Sequence, residues 1–195
     1  MIYISQMNSF QFNTTTGIRF GEGHAENTAE EVSTKLGTRM RCVTDRGRVK
    51  LGSIDKTISA LQKNSEILIF DNVEADPSLK TLMKCTQEGN SFKATGVIGF
   101  GGGSSMDVAK LTALLIGSNE DIHQAWGVAN AKGPRLPLAL YPTTSGTGSE
   151  VTPISIITQD DLEKKGVSSP IILPDLAILD PLLTLGLPPH ITAAT

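Results

Sequence analysis

Short apolar runs alternate with longer segments of helical periodicity along most of the chain. The β-prone runs stand at residues 40–44, 67–70, 96–100 and 138–141, and the helical patterns stand at residues 25–36, 49–61, 79–86, 104–115 and 120–126. This alternation is typical of βαβ units, whose strands pair in parallel under helices on both faces. The sequence therefore predicts an α/β fold with a doubly wound, mostly parallel sheet.

The two ends of the chain depart from this alternation. Residues 1–20 are β-prone on either side of a polar turn at residues 13–17, which predicts an N-terminal β-hairpin. Because an edge hairpin leaves backbone groups unpaired, we expect a homodimer through this segment. Towards the other end, the predicted elements are a β-prone run at 151–158, a charged turn at 159–166, short strands at 171–173 and 177–179, and helical structure from Asp180.

Residues 95–115 carry the clearest chemical signal. A predicted strand ends on Gly101, Gly102 and Gly103, and Ser104, a favoured N-cap residue, and Asp107 follow at the predicted start of a helix. Exposed N–H groups, a helix dipole and the absence of side chains together favour a bound nucleotide diphosphate. Glycine-rich strand–helix turns also occur without a ligand, so this motif alone leaves both interpretations open.

A second loop offers similar chemistry. All seven residues from 143 to 149 are threonine, serine or glycine, and Thr143, Thr144 and Thr147 carry hydroxyls that can contact phosphate or ribose. The chain contains neither the usual G-x-G-x-x-G motif nor a G-x-x-x-x-G-K-[ST] motif, which makes a P-loop nucleotide hydrolase an unfavourable interpretation.

Composition limits the possible partners. Hydrophobic residues make up 39% of the chain, charged residues 19%, and the net charge is −3, so no basic surface for nucleic acid is expected. Without a long apolar run or a leader pattern, we expect no membrane partner and a cytoplasmic location. The two cysteines, Cys42 and Cys85, lack C-x-x-C spacing and are predicted to be buried thiols.

Six short motifs, taken together and in order, resemble one family. They are FGEG around Gly21, VTD at 43–45, GGGSSMDVAK at 101–110, YPTTSGTGSEVT at 141–152, SSP at 168–170 and DPLLTLGLPPHITAAT at 180–195. The set is similar to the iron-containing (group III) alcohol dehydrogenases, which share their fold with dehydroquinate synthase and glycerol dehydrogenase. The resemblance implies a Rossmann-like cofactor domain and an NAD(P)-dependent oxidoreductase acting on CH–OH groups.

The resemblance also implies where the cofactor lies. The diphosphate is expected over the glycines, Asp45 beside the adenosine ribose, and Asp107, Thr152 and Lys165 towards the nicotinamide. A carboxylate at Asp45 favours NAD, whereas Arg46 and Arg48 next to it keep NADP possible. The candidate cofactor-binding residues are Asp45, Gly101, Gly102, Gly103, Ser104, Asp107, Thr143, Thr144, Thr147, Thr152 and Lys165. The family often has Asn before Pro where this chain has Asp76.

In the family, iron or zinc is held by one Asp and three His of a C-terminal helical domain. The resemblance places these ligands beyond Thr195, so residues 1–179 are predicted to form the cofactor domain and residues 180–195 the start of a truncated helical domain. His24, His123 and His190 are far apart and are predicted to be surface residues. No catalytic or metal-binding residue is assigned, and this chain alone is expected to be inactive.

Three interpretations of function remain open at this point. The first is the cofactor-binding part of a metal-dependent dehydrogenase whose substrate is a small alcohol or aldehyde. The second is a non-catalytic nucleotide-binding or dimerising module. The third is a glycerol or sugar-phosphate member of the same superfamily, although the patterns at 142–152 and 180–184 resemble the alcohol dehydrogenases more closely.

Overall fold

A computed structural model describes residues 9–195 of the chain, which contain two sheets. The strands are β1 (Gly17–Phe20), β2 (Arg39–Val43), β3 (Glu66–Phe70), β4 (Gly96–Gly101), β5 (Gly127–Val128), β6 (Leu138–Pro142), β7 (Ile154–Thr158), β8 (Lys164–Ser168) and β9 (Leu176–Leu179). Six of them pair in parallel in the order β1-β9-β6-β4-β2-β3. The predicted α/β class and parallel sheet are therefore confirmed.

Helices cover both faces of the large sheet. They are α1 (His24–Asn27), α2 (Ala29–Leu36), α3 (Arg46–Lys50), α4 (Asp55–Leu61), α5 (Leu79–Phe92), α6 (Gly103–Ser118), α7 (Ile122–Ala125) and α8 (Pro189–Ala194). One apolar cluster joins α2 and α4 to one face of the sheet, and a second joins α5 and α6 to the other. Because the central strands are buried on both faces, β4 is apolar or glycine at every position.

Several helix boundaries differ from the prediction; α5, for example, continues to Phe92 beyond the predicted end at residue 86. The pattern at 25–36 is broken at Thr28, whose hydroxyl donates to the His24 carbonyl, so α1 and α2 are separate. The pattern at 49–61 is two helices, because Gly52 adopts a left-handed conformation (φ +65°) between them. Gly102, not Ser104, is the N-cap residue of α6, so that helix begins at Gly103.

Two predictions near the C-terminal end were wrong. Residues 171–173 are not a strand: a 3₁₀-helix spans Pro170–Ile172, with Pro170 at its first position and the Ser169 hydroxyl accepting from Ile171 N at 3.3 Å. Lys164 and Lys165 do not lie in a turn but begin β8, which pairs antiparallel with β7. Strands β5, β8 and β7 form the small second sheet.

Only part of the predicted N-terminal hairpin falls within the described residues. Residues 1–8 lie outside them, residues 9–16 contain no strand, and β1 pairs in parallel with β9 at the edge of the large sheet. The helical structure predicted after Asp180 consists of a 3₁₀-helix, Pro181–Thr184, and α8. The division into domains at residue 180 stays a prediction.

Both cysteines are buried and unpaired, as predicted. Burial raises the pKa of the Cys42 thiol to about 12. Across residues 9–195, we find no helix with the length and apolar character needed to cross a bilayer.

Candidate nucleotide-binding site

The strand order creates a crevice between two neighbouring strands. The chain leaves β2 towards β3 on one side, whereas it leaves β4 towards β6 on the other side. In open α/β sheets, ligands bind at the carboxyl ends of the strands where such connections diverge. In this protein, the segments that follow β2 and β4 both line one cleft at that point.

The cleft has two lobes that meet over the start of α6. The larger lobe, of about 670 Å³, is bounded by residues that follow β2, β3, β4 and β6. The smaller lobe, of about 430 Å³, is bounded by α6, β7 and the first residue of β8. Gly103 and Ser104 line both lobes, so the N-terminus of α6 stands at their junction.

Most of the predicted cofactor-binding residues converge on this cleft. Those in the larger lobe are Asp45, Gly102, Gly103, Ser104, Thr143 and Thr144; those in the smaller lobe are Gly103, Ser104, Asp107, Thr147 and Thr152. Gly101 and Lys165 line neither lobe. Residues widely separated in sequence are thus brought together by the parallel strands.

Gly101 and Gly102 differ in what an added side chain would meet. Gly101 has a φ of +154°, and a Cβ there would lie 2.7 Å from Ser105 Oγ, so the fold itself requires glycine. Gly102 has an extended backbone, with φ −80° and ψ −171°, and a Cβ there would stand 3.6 Å from Thr144. The protein alone could therefore hold a side chain at Gly102, and the bare backbone leaves that space to a ligand.

Unpartnered polar groups surround that space. The side-chain oxygens of Thr143 and Thr144 are buried without a hydrogen-bond partner among the described residues. The first-turn N–H groups of a helix have no intrahelical acceptors, and in α6 no side chain caps them. Buried hydroxyls and N–H groups normally find partners, and a diphosphate supplies acceptors for all of them. The site therefore fits a nucleotide cofactor.

Asp107 has a structural role in the smaller lobe. Its carboxylate accepts from Ser149 Oγ at 2.7 Å and from Ile156 N at 3.0 Å, which fastens α6 to β7. Burial raises the pKa of Asp107, and the nearby Lys110 ammonium partly offsets this rise. Asp107 therefore shapes the lobe wall, and each of its carboxylate oxygens already accepts one hydrogen bond.

Lys110 is fully buried beneath the same wall. Its ammonium donates to the carbonyls of Thr152 and Ile154 at 3.0 and 2.8 Å. Burial lowers the pKa of Lys110 to about 8, against the opposing attraction of Asp107. This lysine fixes the backbone that carries Thr152, a contribution the sequence analysis missed.

Charged groups at the end of β2 line the larger lobe. Asp45 Oδ1 accepts from Arg48 N at 3.0 Å and so caps α3, while Oδ2 lies 4.0 Å from Arg48 Nε. Arg46 donates through Nε to Asn72 Oδ1 at 3.1 Å. One carboxylate oxygen of Asp45 thus remains available to a ligand, beside two arginines that already have local partners.

The structure places Lys164, not Lys165, in the cleft. Successive residues of a strand face opposite sides. Lys164 lines the smaller lobe, whereas Lys165 Nζ lies 3.4 Å from Glu163 and lines neither lobe. The sequence analysis also missed the lining residues after β3, which include Asp71, Asn72 and Glu74; the rule that ligands bind beyond strand carboxyl ends could have located them.

A metal site is not formed by the described residues. Between residues 9 and 195, no three His, Cys, Asp or Glu side chains are grouped so that they could hold an ion. His123 and His190 are exposed and His24 is half-buried. The described residues therefore do not fit the metal that the resemblance implies.

Known proteins resemble this chain in both sequence and fold. Sulfoacetaldehyde reductase of Bilophila wadsworthia is 38% identical over 189 residues (96% of this chain, 49% of that protein). Choline dehydrogenase of Bacillus subtilis is 35% identical over 198 residues, which cover 98% of this chain and 49% of that protein. The structure of sulfoacetaldehyde reductase from Bifidobacterium kashiwanohense in complex with NAD+ superposes with a TM-score of 0.86 at 30% identity. The superposition covers 96% of this chain and 50% of that one.

A 1,3-propanediol oxidoreductase structure superposes with a TM-score of 0.92 at 30% identity, covering 96% of this chain and 50% of that one. The chain thus spans about half the length of the curated relatives it matches. The family model for iron-containing alcohol dehydrogenase matches residues 15–181. The chain therefore belongs to the iron-containing alcohol dehydrogenase family and corresponds to its N-terminal part.

Proposed function

We propose that residues 9–195 form the NAD(P)-binding half of an alcohol dehydrogenase, with the diphosphate over the N-terminus of α6. The observation that carries the proposal is the two-lobed cleft that meets at Gly103 and Ser104, where the Thr143 and Thr144 hydroxyls lack partners. The adenosine half occupies the larger lobe and the nicotinamide half the smaller one. Two lobes joined at an anion-binding helix end suit the two nucleotides of a dinucleotide.

NAD is the preferred form of the cofactor in this proposal. The free oxygen of Asp45 accepts a hydrogen bond from a 2′-hydroxyl and repels a 2′-phosphate. Arg46 and Arg48 favour the phosphate, but Arg46 is bound to Asn72 and Arg48 lies beside Asp45. An NAD+ complex of a related sulfoacetaldehyde reductase supports the same choice.

Isothermal titration of the chain tests this choice. We expect NADH to bind about tenfold more tightly than NADPH, which corresponds to roughly 1.4 kcal/mol. Asp45→Asn is the matched variant: asparagine caps a helix as well as aspartate, so the fold stays intact while the preference for NADH shrinks. A folded sample with no affinity for either cofactor would contradict the proposal, and unchanged preference in Asp45→Asn would exclude Asp45 as its cause.

The activity of the whole protein follows from the same proposal. When bound, NAD would supply the acceptor for a hydride from the carbon of a CH–OH group, and iron or zinc, held by residues other than those described here, would act as a Lewis acid towards the alcohol oxygen. The residues described here bind and orient the cofactor. A small alcohol or aldehyde is the proposed substrate, because relatives are named for 1,3-propanediol and sulfoacetaldehyde.

A homodimer through the N-terminal segment is also part of the proposal. Strand β1 forms an edge of the large sheet and pairs with β9 alone. Ile18 and Phe20 on this strand are 48% and 72% exposed, and Phe10 and Phe12 before it are more exposed still. An unpaired strand edge flanked by exposed apolar side chains favours pairing with a second copy.

Sedimentation of the double variant Ile18→Lys/Phe20→Lys tests the dimer. The wild-type chain is expected to sediment as a dimer of the 20.7-kDa chain, and the double variant as the monomer, because edge lysines oppose strand pairing. Val128→Lys is the control, since Val128 is 77% exposed on β5, in the other sheet. A monomeric wild type, or a double variant that stays dimeric, would exclude this interface.

A further inference from the structure

The C-terminal end of α8 contacts the middle of the hydroxyl-rich loop, residues 143–149. The Thr195 hydroxyl donates to the Ser145 carbonyl at 2.9 Å. The backbone of Thr195 lies so close to Gly146 that a Cβ at Gly146 would overlap the Thr195 carbonyl group. The approach of α8 therefore requires glycine at this position. This contact of Thr195 with Ser145 and Gly146 is called the clasp below.

Helix α8 is short and exposed. It contains six residues, none of which is buried, and residues 188–195 are all exposed. A helix of this length is not stable by itself in water. Few buried contacts and exposed backbone hydrogen bonds are typical of segments that open locally at low free-energy cost. We therefore expect α8 to dock on the loop and to leave it readily.

The Thr195 hydroxyl can release the loop without losing a hydrogen-bond partner. It has one proton, and the Ser145 carbonyl is the nearest of three acceptors. The other two, at 3.1 and 3.4 Å, are the carbonyls of Ile191 and Thr192 within α8 itself. A threonine hydroxyl readily bonds to a carbonyl one turn earlier in its helix. The clasp can thus be closed or open with the hydroxyl satisfied in both states.

The loop carries hydroxyls that are proposed to bind the diphosphate. Thr144 and Thr147 stand on either side of the two residues that α8 contacts. A Cβ at Gly102 would lie 3.6 Å from Thr144, and one at Gly103 would lie 3.5 Å from Thr147. Both threonines therefore stand beside the bare backbone at the start of α6.

The two ends of the loop are held by other contacts. Thr143 N donates to the Gly101 carbonyl at 2.9 Å, and Ser149 Oγ donates to Asp107 at 2.7 Å. Between these anchors, the two glycines of the loop give its backbone conformational freedom. The position of the middle of the loop therefore depends on the clasp more than the position of its ends does.

We propose that the clasp couples α8 to nucleotide binding, with Thr195 as a positioning residue for the hydroxyl-rich loop. When α8 is docked, its end holds Ser145 and so keeps Thr144 and Thr147 beside the diphosphate. When a diphosphate binds, it orders the same loop and so favours docking of α8. Two events that order one element strengthen each other by the same factor. This inference rests on the proposed function.

Hydrogen exchange of the α8 amides, measured with and without saturating NADH, tests the coupling directly. In the wild type, NADH is expected to slow exchange of these amides by about tenfold, a factor typical of coupled sites. In Thr195→Val, which removes the hydroxyl and keeps the size of the side chain, NADH should slow it much less.

Titration with NADH measures the reciprocal effect. Thr195→Val is expected to bind NADH about fivefold more weakly, the value of one neutral hydrogen bond, whereas Thr195→Ser keeps the hydroxyl and should retain the wild-type affinity. Thr192→Val is the matched control, because it makes the same change in the same exposed helix. The Thr192 side chain has no hydrogen bond to the loop within residues 9–195, so the affinity should stay unchanged.

Gly146→Ala should open the clasp from the other side. Its Cβ would take the place of the Thr195 carbonyl group, so α8 is expected to exchange quickly whether or not NADH is present. Gly148→Ala is the control for backbone strain: Gly148 also has a positive φ (+64°), but a Cβ there meets Thr152 Cγ2 at 4.0 Å and nothing of α8 within that distance. This variant should keep the effect of NADH on α8.

Three results would overturn the inference: exchange of α8 that NADH leaves unchanged in the wild type, full NADH affinity in Thr195→Val, or an equal loss of affinity in Thr195→Val and Thr192→Val. Each of them leaves the proposed function standing as long as the wild type binds NADH. A folded wild type that does not bind NADH would instead overturn the proposed function, and the inference with it.

Discussion

Replacing Gly102 with valine is expected to weaken NADH binding by at least about 100-fold, which equals the loss of two charge-assisted hydrogen bonds. The added side chain enters the space between the N-terminus of α6 and the unpartnered hydroxyl of Thr144. The extended backbone of Gly102 suits a β-branched residue, and the new Cβ stands at an ordinary 3.6 Å from Thr144. Titration with NADH and a thermal melt measure binding and folding separately.

Two other glycines provide the comparison. A side chain at Gly186 would meet no atom within 4 Å of its Cβ, so Gly186→Val should keep both the fold and the affinity. Gly101→Val should destabilise the protein, because its Cβ would collide with Ser105. A Gly102→Val variant that is folded and binds NADH with full affinity would show that the diphosphate does not pass over Gly102.

Replacing Glu88 with alanine is expected to destabilise the protein by about 3 kcal/mol. Arg41 on β2 is fully buried, and its Nη2 lies 2.5 Å from Glu88 Oε2. The Glu88 side chain is 41% exposed, so the expected loss is at the low end of the range for breaking a buried pair. Arg41 Nε and Nη1 have no acceptor among the described residues, and the guanidinium lies 5.0 Å from the centre of the Phe70 ring. Removing Glu88 therefore leaves a buried cation without its anion, and an uncompensated buried charge is strongly destabilising.

A neighbouring pair on the same strand is the control for this experiment. Arg39 and Glu66 lie 2.6 Å apart, but their side chains are 40% and 59% exposed, so Glu66→Ala should cost less than about 1 kcal/mol. In a thermal melt, Glu88→Ala should lower Tm by roughly 6–12 °C and Glu66→Ala by less than about 4 °C. Equal, small decreases for both variants would show that water reaches Arg41 when Glu88 is absent.

Local sequence was sufficient where one physical rule dominated. The alternation of β-prone runs and helical periods predicted the strands at residues 40–44, 67–70 and 96–100, and the signal was clearest for β4, which is buried at every position and contains only apolar residues and glycine. Local sequence was insufficient where several physical rules favoured different structures. The apolar run at 171–173 follows Pro170 and a capping serine, and these bend it into a 3₁₀-helix that periodicity cannot distinguish from a short strand.

The candidate site shows the same division between sequence and structure. The glycines after β4 and the hydroxyl-rich loop at 143–149 were predicted from composition, since both place polar groups on bare backbone. Composition could not tell whether Lys164 or Lys165 lines the cleft. That choice depends on the register of β8 against β7, and a shift of one residue moves each side chain to the other face.

The sequence by itself determined the class of fold and located the glycine-rich and hydroxyl-rich loops, because hydrophobic period, glycine and hydroxyl content are properties of short segments. Only the tertiary structure decided which side chains meet in the cleft. Lys164 pairs with Asp76, which stands 88 positions earlier in the chain. The buried Arg41 pairs with Glu88, which stands 47 positions later. Such contacts follow from strand order and register, which depend on how the whole chain packs.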